Sequence, residues 1–117
     1  MRGFAQFTIV GRIGKVTEAG SCLKISIAAE YGRKDDRGDF RQNTYWNTVT
    51  LFRDGTIKWA KDNLQPGDTV AAQGTIRETS YEKNGETVYG VTLAADNFDL
   101  LARNHTRRYA AMLGTGT

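Results

Sequence analysis

Residue types that build catalytic and metal sites are scarce in this chain. Its 117 residues include one histidine and one cysteine. One of each cannot supply the four protein ligands of an ordinary structural zinc site, and a single cysteine excludes an internal disulfide. The sequence also lacks a glycine-rich phosphate loop ahead of a helix and a nucleophile elbow. We therefore predict a binding protein rather than an enzyme, with no catalytic residues, no metal and no cofactor.

Long apolar runs are missing as well. No stretch approaches the ~20 residues of a membrane helix, and residues 1–4 lack the apolar centre of a signal peptide. Hydrophobic residues at 39% and charged residues at 25% are ordinary for a globular domain with one modest core. We predict one cytoplasmic domain over residues 1–102, with no membrane partner. Residues 103–117 have no periodicity and are expected to form a short, flexible, basic tail.

Residues 44–52 are the most informative stretch. They are mostly β-branched and aromatic, with no glycine or proline, which predicts a strand. Side chains alternate between the two faces of a strand, so Val49 and Leu51 mark the core face. The opposite face carries Trp46 and Phe52, separated by threonines. Two aromatics on a polar face suggest a platform for stacking flat ligands. Packing under a loop or against another subunit explains them equally well at this point.

Alternating apolar positions predict four further strands, over residues 7–14, 22–31, 69–80 and 88–101. A short helix follows the third strand and places Ile57, Ala60 and Leu64 toward the core. The pair Asn84-Gly85 predicts a tight hairpin between the last two strands. The charged residues 32–42 are expected to form a loop between the second and third strands.

Five strands with one short helix between the third and fourth is the element order of the OB-fold, an all-β, five-stranded, partly open Greek-key barrel. That fold binds oligonucleotides on the face of its second and third strands and on neighbouring loops. Trp46 and Phe52 would lie there. The net charge of +3 is compatible with a polyanionic partner. The basic residues expected to contact phosphates are Arg33, Lys34, Arg37, Arg41, Arg53, Arg77 and Lys83.

Four segments together resemble the bacterial single-stranded DNA-binding protein family: FTIVGRIG at 7–14, ISIA at 25–28, TYWNTVTLF at 44–52 and GTIR at 74–77. The resemblance covers residues 6–101, and the Trp-x-x-Val-x-Leu-Phe pattern before a helix is its most specific part. It implies that Trp46 and Phe52 stack on bases, that Tyr81 is a third stacking aromatic, and that Arg77 contacts a phosphate.

The resemblance also implies self-association, as a homotetramer before a dimer. Such assemblies commonly use the first strand, so Phe7 and Ile9 are expected at the subunit interface, and Asn47 falls at a family interface position. The family often has a tryptophan soon after its second strand. The candidates for that stacking position here are Tyr31 and Phe40. A basic residue common two positions after the central tryptophan is Thr48 in this chain.

Members of the family usually end in a long tail with an acidic tip that recruits replication and repair enzymes. Residues 102–117 contain no Asp or Glu. We therefore expect a short form of the family without tail-mediated recruitment, as would suit a phage, a mobile element or a deliberately shortened chain, and the sequence does not distinguish these.

The function expected from the sequence is sequence-independent binding of single-stranded DNA, which is coated and protected during replication, recombination or repair. Two alternatives keep the fold. One is a primosomal-type OB adaptor whose main partner is another protein. The other is an OB module that binds RNA or oligosaccharide, since sugars also stack on aromatic rings.

Overall fold

The computed structural model describes residues 3–104, which form one barrel of five strands with a single helix. The elements are β1 (Gln6–Ala19), β2 (Cys22–Lys34), β3 (Phe40–Leu51), α1 (Asp54–Asn63), β4 (Thr69–Lys83) and β5 (Glu86–Ala102). The all-β OB-fold with its helix between β3 and β4 is confirmed. The barrel, expected to be partly open, is closed in the order β1-β2-β3-β5-β4.

β1 closes one side of the barrel because it belongs to two ladders. Residues 6–12 pair with β4 and residues 12–19 pair with β2, both antiparallel. The register against β2 shifts between Ile13 and Lys15, so a bulge lies at Gly14. A bulge bends a strand and increases its twist, which turns β1 from one neighbour to the other. The other side is closed by a short parallel contact that pairs Val49 of β3 with Leu93 of β5 and Thr50 with Ala94.

The core consists of the inward side chains of β2 and β3 with contributions from β1, β4 and β5. Leu23 is paired with Leu51 and Ile25 with Val49, and all four are fully or almost fully buried. Each aliphatic side chain buried in this way contributes about 1.5–3 kcal/mol. The prediction that Val49 and Leu51 mark the core face of the third strand is therefore confirmed.

α1 covers one part of this core with the side predicted from the sequence. Ala60 and Leu64 are buried, and Ile57 is half-buried and packs against the same cluster. The chain turns after the helix at Pro66 and Gly67. Gly67 has a φ of 91°, and the Asp68 amide donates to the Gln65 carbonyl at 3.1 Å.

Two hairpins extend beyond the barrel wall. We call the one made by residues 30–46 of β2 and β3 the β2–β3 arm, and the one made by residues 77–91 of β4 and β5 the β4–β5 arm. The ladder between β2 and β3 continues without a shift to the pair Lys34 and Phe40. The expectation of a loop over residues 32–42 is thus wrong except for its centre, residues 35–39. Charged side chains are compatible with a strand here because neither face of the β2–β3 arm is buried.

The β4–β5 arm ends in the tight turn expected from the sequence. Lys83 pairs with Glu86, and Asn84 and Gly85 have φ angles of 53° and 79°. Positive φ at both central residues is the requirement of a type I′ turn, which Asn-Gly satisfies at low cost.

The chain leaves the barrel beside the turn that follows α1. The Asn104 amide donates to Oδ1 of the buried Asp68 at 2.8 Å. The predicted tail lies almost wholly at residues 105–117, outside the described part of the chain. Within residues 3–104, no helix is both long and apolar enough to cross a membrane.

Candidate nucleic-acid interface

The candidate site is the side of the sheet that faces away from the core, which we call the outer face. Side chains of directly paired residues point to the same side of a sheet. Trp46 pairs with Ala28, Thr48 with Ser26 and Thr50 with Lys24. This row therefore lies opposite Val49 and Leu51, and 60% of the Trp46 surface is exposed to solvent. The alternation predicted from the sequence is present in the folded chain.

Phe52 lies at one end of this row, in a shallow groove between β2, β3 and β5. The groove has a volume of about 570 Å³, and its lining includes Lys24, Thr48, Phe52 and Thr92. Phe52 is 48% exposed. The exposed part of the Phe52 ring can stack on a flat ring of a ligand. The neighbouring hydroxyl groups and the Lys24 ammonium group can contact a charged backbone attached to that ligand.

Trp46 and Phe40 each lie against a glycine of another strand: the Trp46 indole reaches across β2 to Gly14 of β1, and the Phe40 ring lies against Gly32 of the adjacent β2. A Cβ placed on Gly14 would overlap the far end of the Trp46 indole, with Cη2 only 2.6 Å away. A Cβ placed on Gly32 would overlap the far end of the Phe40 ring, with Cε2 at 2.7 Å. Both rings are nevertheless largely exposed on their other sides. The β2–β3 arm thus presents two aromatic rings on its outer face.

Tyr81 and Arg77 belong to the same outer face through β5. Thr50 pairs with Ala94, Ala94 pairs with Thr75, and the ladder between β4 and β5 continues without a shift to Lys83. Arg77, Tyr81 and Lys83 follow Thr75 at intervals of two, so they point to the same side, and all three are exposed. Arg77 Nε donates to Thr75 Oγ1 at 3.1 Å, which directs the guanidinium along the strand.

Tyr31 lies on the other side of the β2–β3 arm. It pairs with Asn43 and points to the same side as Tyr45, away from Trp46 and Phe40. The Tyr31 and Tyr45 rings meet edge to face with their centroids 5.4 Å apart. They line a second, smaller pocket together with Arg33. Of the two candidates for the fourth stacking position, Phe40 shares a face with Trp46 and Tyr31 does not.

The tip of the β2–β3 arm is organised by Asp35. Its Oδ1 accepts hydrogen bonds from the amides of Arg37 and Asp39, both at 2.9 Å, and its Oδ2 accepts one from Arg41 Nε at 2.8 Å. The Arg41 guanidinium, with help from the two amides, lowers the pKa of the Asp35 carboxyl below its usual value of 3.8. Arg41 is therefore already ion-paired within the chain.

The other predicted phosphate contacts are exposed and free of such pairing. Among the described residues, the ion pairs join Arg41 to Asp35, Arg12 to Glu30 and Lys61 to Glu18. The cations without an ion pair in this part of the chain include Arg33, Lys34, Arg37, Arg53, Arg77 and Lys83. Their positive charge is available to a polyanion.

Two of the predicted interface residues have a role inside the subunit. Phe7 pairs with Gly74 and Ile9 with Ala72, and both side chains are half-buried against the core. Asn47 is exposed at the base of the β2–β3 arm. The outward side of β1 instead carries Thr8 and Val10, and Val10 is 53% exposed. The involvement of these residues in an assembly stays a prediction.

Three residues near the candidate site were not predicted from the sequence: Lys24, Thr92 and Tyr45. Lys24 alternates with the buried Leu23 and Ile25, a signal that places it on the outer face. Thr92 reaches the groove only because β5 lies beside β3, and no local pattern indicates that neighbour. Tyr45 has the parity of a core residue, but it lies on the projecting arm and is 55% exposed.

No group of three or more His, Cys, Asp or Glu side chains within residues 3–104 is arranged to hold a metal ion. The site residues described above supply aromatic rings, hydroxyl groups and cations on a sheet surface.

A closed five-stranded barrel with a helix between β3 and β4, and with aromatic and basic residues on the outer face of β2 and β3, is an OB-fold protein. Sequence comparison defines the group more narrowly. The sequence model of the single-strand binding protein family matches residues 4–101, and the chain belongs to that family.

Individual relatives agree with this assignment. The chain is 30% identical over 108 residues to a single-stranded DNA-binding protein of Xanthomonas campestris, covering 86% of this chain and 62% of that protein. A counterpart in Xanthomonas axonopodis is also 30% identical, with 59% of its length covered. The chain thus spans about three fifths of the length of these relatives.

Solved structures share the fold. The mitochondrial single-stranded DNA-binding protein of Saccharomyces cerevisiae is 27% identical, with a TM-score of 0.64, over 88% of this chain and all of that one. A Plasmodium falciparum single-stranded DNA-binding protein, solved with its DNA, superimposes with a TM-score of 0.68 at 14% identity, covering 89% of this chain and 98% of that one. The second likeness concerns the fold alone.

Proposed function

We propose that this protein binds single-stranded DNA without regard to sequence and coats it during replication, recombination or repair. The observation that carries the proposal is the outer face: Trp46, Phe52, Phe40 and Tyr81 are all exposed there, between unpaired cations. An aromatic ring stacks on any unpaired base, because every base has a π-face, and each stack is worth about 1–3 kcal/mol.

The charges on this surface support a partner with a phosphate backbone. Arg77 and Lys83 lie beside Tyr81 on the outer face, and Lys34 lies beside Phe40 near the arm tip. Cations that contact phosphates position a strand but carry no sequence information. Stacking platforms combined with cations therefore favour binding with little base preference. The proposed binding of single-stranded DNA is also supported by membership in the single-strand binding protein family and by relatives named for that activity.

We propose that the protein acts by binding and is not an enzyme. We also propose that it forms a homotetramer, with a dimer as the alternative. The structure offers one observation in favour of self-association. The outward side of β1 exposes Val10 on a small barrel, and exposed apolar side chains on a strand invite contact with another chain. The tetramer itself is the assembly that the resemblance to the family implies. The cytoplasmic location stays a prediction from the sequence.

The test is a fluorescence titration of the purified protein with oligo-dT, oligo-rU and duplex DNA. We expect strong quenching of tryptophan emission by oligo-dT, and little by duplex, whose bases are already stacked. Affinity should fall with salt, with a slope of log K against log salt of about −0.7 per phosphate neutralised. Quenching by oligo-rU alone would favour the RNA-binding alternative. No response to any nucleic acid would favour the protein adaptor.

A further inference from the structure

Two glycines on the outer face do not have a positive φ, yet a side chain at either position would overlap an aromatic ring where that ring now lies. A Cβ on Gly14 would overlap Cζ3 and Cη2 of Trp46, and a Cβ on Gly32 would overlap the end of Phe40. Neither glycine has a positive φ, so backbone conformation does not explain them. In both cases the far edge of an aromatic ring occupies the space that a side chain would fill.

These glycines differ from those at the corners of the barrel. A Cβ on Gly11 would lie 2.8 Å from the carbonyl carbon of Ala28, and one on Gly74 would lie 2.8 Å from that of Ala94. Backbone atoms of a paired strand cannot move aside, so Gly11 and Gly74 are needed for barrel closure. At Gly14 and Gly32 the obstacle is the far end of an exposed side chain, which can swing away into solvent at little cost to folding.

We propose that Gly14 and Gly32 are positioning residues for base stacking, an inference that rests on the proposed function. Each leaves a gap that holds the edge of a ring, so that Trp46 and Phe40 are fixed in place before a strand arrives. Without such a gap, an exposed ring is free to change its conformation and loses that freedom when DNA binds. The loss of side-chain freedom at an interface weakens affinity. A methyl group in the gap should therefore weaken DNA binding without unfolding the barrel.

The experiment compares Gly14→Ala and Gly32→Ala in a Trp59→Phe background, where Trp46 is the remaining tryptophan. Gly90→Ala is the matched control. It also adds a methyl group to a strand glycine with ordinary φ, but its nearest neighbour would be Thr79 Oγ1 at 3.9 Å. We expect oligo-dT affinity to fall about tenfold in the first two variants and to change less than twofold in the control, with similar melting temperatures throughout.

Two double variants separate positioning from a merely structural effect. If Gly14 acts through Trp46, adding Gly14→Ala to Trp46→Ala should cause no further loss of affinity, and the same holds for Gly32 with Phe40. Iodide quenching of Trp46 without DNA should rise in Gly14→Ala, since the displaced indole becomes more accessible. Should Gly14→Ala fail to fold, the Gly32 and Phe40 pair provides the same cycle.

Unchanged affinity in both glycine variants, or an equal loss in the presence and absence of the ring, would overturn the inference. If the unmodified protein fails to bind oligo-dT, the proposed function is wrong. The iodide experiment still decides whether Gly14 positions the indole, because it needs no ligand.

Discussion

Trp46 and Leu51 are close in sequence but lie on opposite sides of the sheet, and their substitution should have opposite effects. Trp46 contacts the outer surface of the sheet and is mostly exposed, while Leu51 is buried in the core. Trp46→Ala removes a stacking platform without leaving an internal cavity. We expect it to weaken oligo-dT binding by about 1–3 kcal/mol and to change the melting temperature little.

Leu51→Ala is the control for this prediction. A buried leucine replaced by alanine costs about 2–5 kcal/mol of stability, and the folded fraction should still bind DNA. Melting curves and oligo-dT titrations of both variants provide the measurement. A Trp46→Ala protein that is unfolded, or one that binds normally, would show that the outer face is not the binding surface.

At the scale of the element, the β2–β3 arm is a pair of strands in a segment whose charged residues predicted a loop. Its charged residues follow no period of two and no buried apolar stripe marks a strand, because the arm projects past the barrel and neither face is covered. The tip is held by Asp35 through three hydrogen bonds. These bonds fix the backbone at Arg37 and Asp39, immediately before Phe40.

The tip should respond to acid. The pKa of Asp35 is lowered in the folded chain, chiefly by Arg41, so its carboxylate stabilises the tip above the unfolded pKa of about 3.8. That contribution is lost as the pH falls through the lower, folded value. Amide resonances of Arg37 and Asp39, followed by NMR, should titrate with a midpoint below 3.8 and lose this transition in Asp35→Asn. A midpoint at or above 3.8 would contradict the ion pair with Arg41.

At the scale of the whole molecule, the barrel is small and one of its outward strand surfaces is partly apolar. If the protein forms the proposed homotetramer through β1, light scattering at micromolar concentration should give about four times the chain mass of 13.0 kDa. Val10→Asp should lower that mass, because a carboxylate buried between subunits without a partner is strongly unfavourable. Val10 is 53% exposed within the subunit, so the barrel itself should fold.

Val91→Asp is the matched control for the mass measurement. Val91 is 68% exposed on the β4–β5 arm and pairs with Glu78, whereas Val10 pairs with Ala71 in the barrel, so this variant should keep the assembly mass. A monomeric unmodified protein would refute the proposed assembly. A tetramer insensitive to Val10→Asp would place its interface on another surface.

The sequence by itself determined the features that depend on neighbouring residues. Alternation along residues 44–52 placed Val49 and Leu51 inside and Trp46 outside, whatever strand lay beside them. The helical spacing of Ile57, Ala60 and Leu64 identified the buried side of α1. Asn84-Gly85 fixed a turn, since few other pairs accept positive φ at both positions. These are local consequences of backbone geometry, so they could be predicted before any tertiary contact was known.

Tertiary structure alone decided which distant residues became neighbours. The unbroken ladder of the β2–β3 arm placed Phe40 on the face of Trp46 and Tyr31 on the other, a result that required the register of two strands. The parallel contact between β3 and β5 brought Arg77, Tyr81 and Thr92 to the outer face. Asp35 neutralised Arg41, Gly32 of β2 received the Phe40 ring, and Gly14 of β1 received the Trp46 indole from across β2. Each of these arrangements depends on contacts between segments that are separated in the sequence, so no single stretch predicts it.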